Sequence, residues 1–211
     1  MTRAAAIKHG YTAGARGLAS RSVTGLTRTR ITPNALTATG VTLCAAASIL
    51  VLFEDRNQLL FYWLAAVVFV AGSLLDILDG ALARAGGKTT PFGAYLDSTT
   101  DRVSEGFMLA AIAYVLATHH HPVFVAVAMA GVAGSFLVSY TRAKAEALGL
   151  RGDVGIGSRA ERVVVITAGL VLAPWGVLPW ALVLLAFTAW VTVGQRVLHV
   201  RKQLMEATHG E

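Results

Sequence analysis

Apolar residues gather into six long runs, near 34 to 53, 59 to 83, 92 to 117, 122 to 145, 160 to 176 and 178 to 199, separated by short polar or Pro/Gly-rich breaks. A helix needs ~20 residues to cross the hydrocarbon of a bilayer. The pattern therefore predicts an all-α integral membrane protein with six transmembrane helices. Pro33 suits the first turn of a helix, with Thr32 or Asn34 available to cap it. The fifth and sixth runs are divided by Ala173-Pro174-Trp175-Gly176-Val177-Leu178-Pro179, with Trp180 just beyond, the composition of an interfacial turn. Ahead of the first run, Ile7, Tyr11, Ala15 and Leu18 recur at helical spacing, with Lys8 and Arg21 flanking the stripe. This predicts an N-terminal amphipathic juxtamembrane helix lying on the bilayer surface. Gly10, Gly14, Gly17 and Gly25 weaken that helix and leave a disordered basic tail as the alternative. The expected organisation is a juxtamembrane segment over 1–31, a six-helix domain over 32–205 and a C-terminal tail over 206–211.

Composition agrees with a membrane chain: 55% of the 211 residues are hydrophobic and only 14% charged, against about 25% in soluble proteins. A net charge of +6 could point to nucleic acid, but the basic residues are distributed as a membrane requires. Of the 18 Lys and Arg, all except Arg56 fall on one side of the predicted spans. The positive-inside rule then puts both termini, and the turn between the second and third spans, at the cytoplasmic face of the cell membrane. The first 31 residues hold no acid, which mimics an organellar transit peptide, and they lack the apolar core of a secretory signal. The single Cys44 allows no intrachain disulfide.

The chemistry concentrates between Asp76 and Asp101, where the chain reads DILDGALARAGGKTTPFGAYLDSTTD. A carboxylate at membrane depth costs roughly 2.5 to 3.5 kcal/mol, and two nearby bases, Arg84 and Arg102, cannot neutralise four acids. Asp76 and Asp79 stand three apart, Asp97 and Asp101 four apart, so each pair shares a helix face. The break Ala85-Gly86-Gly87-Lys88-Thr89-Thr90-Pro91 ends one helix and starts the next, letting the pairs face each other. Such a set offers hard oxygen ligands for Mg²⁺, with Mn²⁺ an alternative, and room for two ions ~3.5 to 4 Å apart.

Asp76-x2-Asp79-Gly80-x2-Ala83-Arg84-x8-Gly93-x3-Asp97-x3-Asp101 resembles the signature of the CDP-alcohol phosphotransferases at all eight fixed positions. That resemblance implies a membrane enzyme that moves a phosphatidyl or similar group from a CDP-linked donor to an alcohol and releases CMP. It implies that Asp76 and Asp97 ligate both metal ions, Asp79 one and Asp101 the other, with Asp101 as general base. It implies further that Asn34, Ala35, Leu36 and Thr37 border the nucleotide pocket and that Thr90 touches the nucleotide. Gly80 and Ala83 leave space for the donor, although small residues also serve helix packing. Arg84 is placed to reach the donor phosphates with its planar fork. Lys88 is a phosphate candidate or a solvated loop lysine. Glu105, four residues past Asp101, is read as supporting the ligands, with Arg102 as its partner.

The acceptor should mark the stretch SYTRAKAEALGLRGDVGIGSRAER, residues 139 to 162, where Arg142, Lys144, Arg151, Arg159 and Arg162 gather. Positive-inside bias accounts for part of this cluster, while Arg159 and Arg162 share a helix face fit to cradle an anion. The pattern is similar to the phosphatidylinositol phosphate synthases of actinobacteria and archaea, which implies that Arg142, Arg162 and Arg196 hold the phosphate of an inositol phosphate. Ser158 stands where that branch usually has Glu. Expected partners are CDP-diacylglycerol, a phosphorylated polyol, the lipid bilayer and a second copy in a homodimer, with no nucleic acid. Gly131, Gly134 and Ser135 form a small-residue face suited to that dimer or to internal packing. His119-His120-His121 reads as an interfacial loop rather than a metal centre, because consecutive residues on a helix cannot face one ion. Competing readings are a phosphatidylglycerophosphate synthase using glycerol 3-phosphate, a membrane prenyltransferase, and a divalent-cation transporter, whose carboxylates should sit near mid-membrane.

Overall fold

The computed structural model describes residues 32–87 and 89–209, and the regular structure among them is entirely helical. The expected juxtamembrane helix of residues 1–31, and Lys88, lie outside the described residues. Six helices occur where the apolar runs predict them: α1 Pro33–Val51, α2 Gln58–Ala85, α3 Pro91–Thr118, α4 Pro122–Ala147, α5 Arg159–Val171 and α6 Leu178–His209. Of these, α1, α2, α4 and α6 are long and apolar enough to cross a membrane. The other two differ for visible reasons. α3 carries Asp97, Asp101, Arg102 and Glu105 along one half, and α5 is only 13 residues long before a 3-10 turn at Ala173–Trp175.

Local chemistry sets the helix ends. The Thr32 hydroxyl accepts from Ala35 N–H at 3.3 Å, capping α1 with Pro33 in its first position. Asn57 Oδ1 accepts from Leu60 N–H at 3.0 Å at the start of α2. α5 opens with a full capping box: Ser158 caps the Glu161 amide while the Glu161 carboxylate takes Ser158 N–H at 2.7 Å. Ser158, a departure in the sequence pattern, is thus the residue that starts the helix bearing Arg159 and Arg162.

The contacts group the described residues into two compact units, one from 32–43 together with 71–103, the other from 44–70 together with 104–209. The second unit holds a continuous apolar core in which Phe69, Met108, Ile112, Leu170 and Leu185 are almost fully enclosed. Within it α4 and α5 both pack on α6. A Cβ on Gly131 would lie 3.0 Å from Leu185, and one on Gly134 would lie 3.0 Å from Ala189. Trp190 Nε1–H also donates to Ala130 C=O at 3.0 Å. The small-residue face therefore serves packing inside the chain.

The connection from α4 to α5 is strapped onto α6. Gly157 N–H donates to Thr192 Oγ1 at 2.8 Å, Arg196 Nε donates to Val154 C=O at 2.8 Å, and Gln203 exchanges two 2.9 Å hydrogen bonds with the Arg151 backbone. Large apolar side chains such as Val67, Val123, Phe187 and Leu198 remain exposed, as expected of a surface that faces lipid. Trp175 and Trp180 are exposed at the turn where an interfacial belt was expected.

Candidate active site

Three short pieces of chain build the first unit's polar centre: the start of α1, the end of α2 and the start of α3. α2 ends where Gly86 N–H returns to Leu82 C=O at 2.9 Å and Gly87 adopts φ +61, a left-handed stop that disfavours a side chain. α3 restarts at Pro91, with the Thr90 hydroxyl accepting from Gly93 N–H at 2.9 Å. The turn is thereby fixed at both ends by its own backbone chemistry. It brings one carboxylate oxygen from each of Asp76, Asp97 and Asp101 within 4.8 Å of one another.

Asp79 is arranged differently. It is buried beside Asp76, at 3% and 5% exposure respectively, but its Oδ2 accepts a hydrogen bond from Thr37 Oγ1 on α1. Three of the four sequence-predicted ligands therefore form one group, and the fourth is oriented by a hydroxyl. The group is an all-oxygen donor set, the chemistry that Mg²⁺ or Mn²⁺ takes. Arg102 lies 3.9 Å from Asp101 and turns its guanidinium back onto Ser98 C=O.

Gly40, which the sequence reading passed over, allows this geometry. A Cβ there would sit 2.9 Å from Gly72 C=O and 3.7 Å from Asp76 Cβ, so α1 and α2 touch backbone to backbone one turn before the first ligand. Gly40→Ala is expected to push these helices apart, lowering turnover about 10-fold and stability by about 1 to 3 kcal/mol. Assay of CMP release alongside a melting curve checks both.

A cavity of about 300 Å³ adjoins the carboxylates. Asn34 and Thr37 of α1, Gly80 and Arg84 of α2, and Thr90 before α3 all line it, with Asp79 and Asp97 in its wall. Two residues expected at the nucleotide, Ala35 and Leu36, do not: Ala35 is exposed elsewhere and Leu36 is buried in the packing. On an α-helix these two positions fall off the face that Asn34 and Thr37 share. Arg84 lies close to Gly80, 3.2 Å from where a Cβ would stand. Thr90 serves as a helix cap as well as lining the cavity.

The cationic residues expected at the acceptor lie in the second unit. Arg162, 5% exposed, forms a fork-to-fork pair with Glu105 at 2.7 and 3.0 Å and donates to Gly157 C=O at 2.8 Å. Glu105 is thus the partner of Arg162, not of Arg102 as the sequence spacing suggested. A pairing 57 residues apart leaves no trace in helix periodicity. Arg196, also buried, donates to Val154 and Val138 carbonyls. Arg142 is exposed and pairs with Glu146 at 2.8 Å. A separate apolar cavity of about 430 Å³ lies between α4 and α6, with Lys144, Arg196 and Arg201 among its lining.

Comparison with known proteins gives a consistent picture. The sequence model of the CDP-alcohol phosphatidyltransferases matches residues 30–194. The chain is 37% identical over 175 residues to an archaetidylinositol phosphate synthase of Pyrococcus horikoshii, covering 82% of this chain and 86% of that one. It is 40% identical over 191 residues to a phosphatidylinositol phosphate synthase of Mycolicibacterium smegmatis, covering 86% and 84%. Among solved structures, the phosphatidylinositol phosphate synthase of Mycobacterium tuberculosis with CDP-DAG bound superposes with a TM-score of 0.75 at 32% identity, covering 86% of this chain and 92% of that one. The same enzyme in complex with manganese and citrate also gives 0.75, at 34% identity, covering 86% and 88%.

Proposed function

The chain belongs to the CDP-alcohol phosphatidyltransferase family, and from that premise we propose that it transfers the phosphatidyl group of CDP-diacylglycerol to an inositol phosphate, giving phosphatidylinositol phosphate and CMP. It is a multi-pass membrane transferase. The observation that carries the reading is Asp97, which belongs both to the carboxylate group and to the wall of the cavity beside it. A site that grips a divalent ion and one that admits a nucleotide diphosphate thus share a side chain.

Asp76, Asp97 and Asp101 would hold the metal, with Asp79 steadied by Thr37 to supply a further oxygen; Mg²⁺, as two ions, is our reading, with Mn²⁺ able to substitute. When bound, such an ion draws charge from the diphosphate oxygens and stabilises the departing CMP. Asn34, Thr37 and Gly80 shape the cytidine side of the cavity, and Arg84 sets its fork on the donor phosphates. Arg162 and Arg196 are already held by protein oxygens, which fixes the direction of the N–H groups they have left for the acceptor phosphate, joined by the exposed charge of Arg142. Asp101 takes the proton from the acceptor hydroxyl as that oxygen forms its bond to the phosphorus bearing the diacylglycerol. The bond from that phosphorus to CMP then breaks, without a covalent enzyme intermediate. Both termini and the aspartate turn face the cytoplasm in this reading, where nucleotide-activated lipid is handled. A homodimer, implied by the family resemblance, has to use a face other than Gly131 and Gly134, since α6 covers them.

Purified protein supplied with CDP-diacylglycerol and, in parallel, inositol phosphate, inositol or glycerol 3-phosphate tests the assignment. Efficient CMP release with inositol phosphate alone is expected. Preference for glycerol 3-phosphate would move the acceptor class, and turnover of unphosphorylated inositol would remove the role given to the three arginines.

A further inference from the structure

A second cluster of metal-ligating side chains lies in the other unit, between the 3-10 turn Glu54–Arg56 and the turn at His119–His121, and the transfer reaction does not use it. The Glu54 side chain is 2% exposed, unusual for a carboxylate outside a site. Its Oε1 is hydrogen-bonded to His119 Nε2, and Asp55 Oδ1 stands 3.8 Å from the same nitrogen. One ligand atom from each of the three residues falls within 4.8 Å of the others. The second oxygen, Glu54 Oε2, is buried and has no hydrogen-bond partner, a state that costs free energy unless something binds it. The neighbouring base does not neutralise the pair: Arg56 lies over the Phe53 ring at 5.2 Å, and among the described residues no Lys or Arg bridges to Glu54 or Asp55.

We propose that Glu54, Asp55 and His119 form a site for a borderline first-row divalent cation, Zn²⁺ by preference, distinct from the aspartate turn. One imidazole nitrogen with two carboxylates is a mixed donor set of the kind zinc takes, whereas magnesium favours oxygen alone and keeps its water. Only His119 of the three consecutive histidines takes part: His120 occupies φ +59 and so turns the chain sharply, and the His121 ring stacks edge-on to Phe124. A cation here ties the α1–α2 connection to the α3–α4 connection, which gives it a structural rather than a chemical role.

The test uses the untagged full chain in detergent at pH 8, since raising the pH lessens proton competition for the imidazole. Excess Mg²⁺ occupies the aspartate turn while Zn²⁺ is added, and metal retained after desalting is counted by mass spectrometry. About one zinc per chain is expected, with melting raised about 5 °C. Zinc should fall at least about 10-fold in His119→Ala and in Asp55→Asn, which keep CMP release; the Asp55 side chain is 77% exposed, so Asp55→Asn folds as the wild type and carries the test if His119→Ala is destabilised. His120→Ala and Asp97→Asn should retain the zinc. No zinc on the wild-type chain, equal zinc on His119→Ala and Asp55→Asn, or loss in Asp97→Asn instead would each overturn the proposal.

Discussion

Asp97→Asn is expected to lower CMP release from CDP-diacylglycerol by about 10²- to 10³-fold while leaving the fold intact. The substitution keeps the shape of the side chain and removes its charge. Asp97 is the residue through which the carboxylate group and the cavity meet, so the loss falls on metal affinity and donor positioning together. It is only partly buried, on the first turns of α3, and its amide can still take hydrogen bonds there. An unchanged melting temperature beside collapsed turnover is therefore the expected pair of results, read by CMP assay and thermal denaturation. Raising the metal concentration should recover part of the activity, because a weakened ligand set binds by mass action.

The second large effect is on stability. Glu105→Ala strips the partner from a guanidinium that is 5% exposed and bonded to that carboxylate through two N–H groups. Removing one member of a buried ion pair costs about 3 to 5 kcal/mol, because the remaining charge stays out of water without compensation. In a chain of this length that is a drop of roughly 10 °C in melting temperature. Replacing both members with apolar residues, Glu105→Leu with Arg162→Met, should recover much of the stability, since no stranded charge remains. Activity should not return with it, as Arg162 is then missing from the acceptor site. This divergence of stability from turnover separates the structural pairing of Arg162 from its proposed contact with acceptor phosphate.

The legibility of the sequence followed the range of the interactions. Helix positions were readable because hydrophobic runs and caps are local: Thr32, Pro33, Gly87 and Pro91 each act within one turn. The pairing of Asp76 with Asp97 and Asp101 was readable because one short break folds two amphipathic faces together. What escaped depends on contacts between distant segments. Gly40 matters only because the Gly72 carbonyl arrives against it, and nothing in α1 announces that. Thr37 was marked at the nucleotide, while its hydroxyl is also spent on Asp79, 42 residues away. Glu105 was given to Arg102 by proximity along the chain, yet a buried carboxylate pairs with the cation that is buried with it. Nothing local in the sequence sets Glu54 against His119, 65 residues away.

The most direct test of the account is diffraction from crystals soaked in Mn²⁺, recorded at the manganese absorption edge. An anomalous peak bounded by Asp76, Asp97 and Asp101, absent in Asp97→Asn, is the predicted result. A fully active enzyme whose manganese lies elsewhere, with those three carboxylates bare, would contradict it.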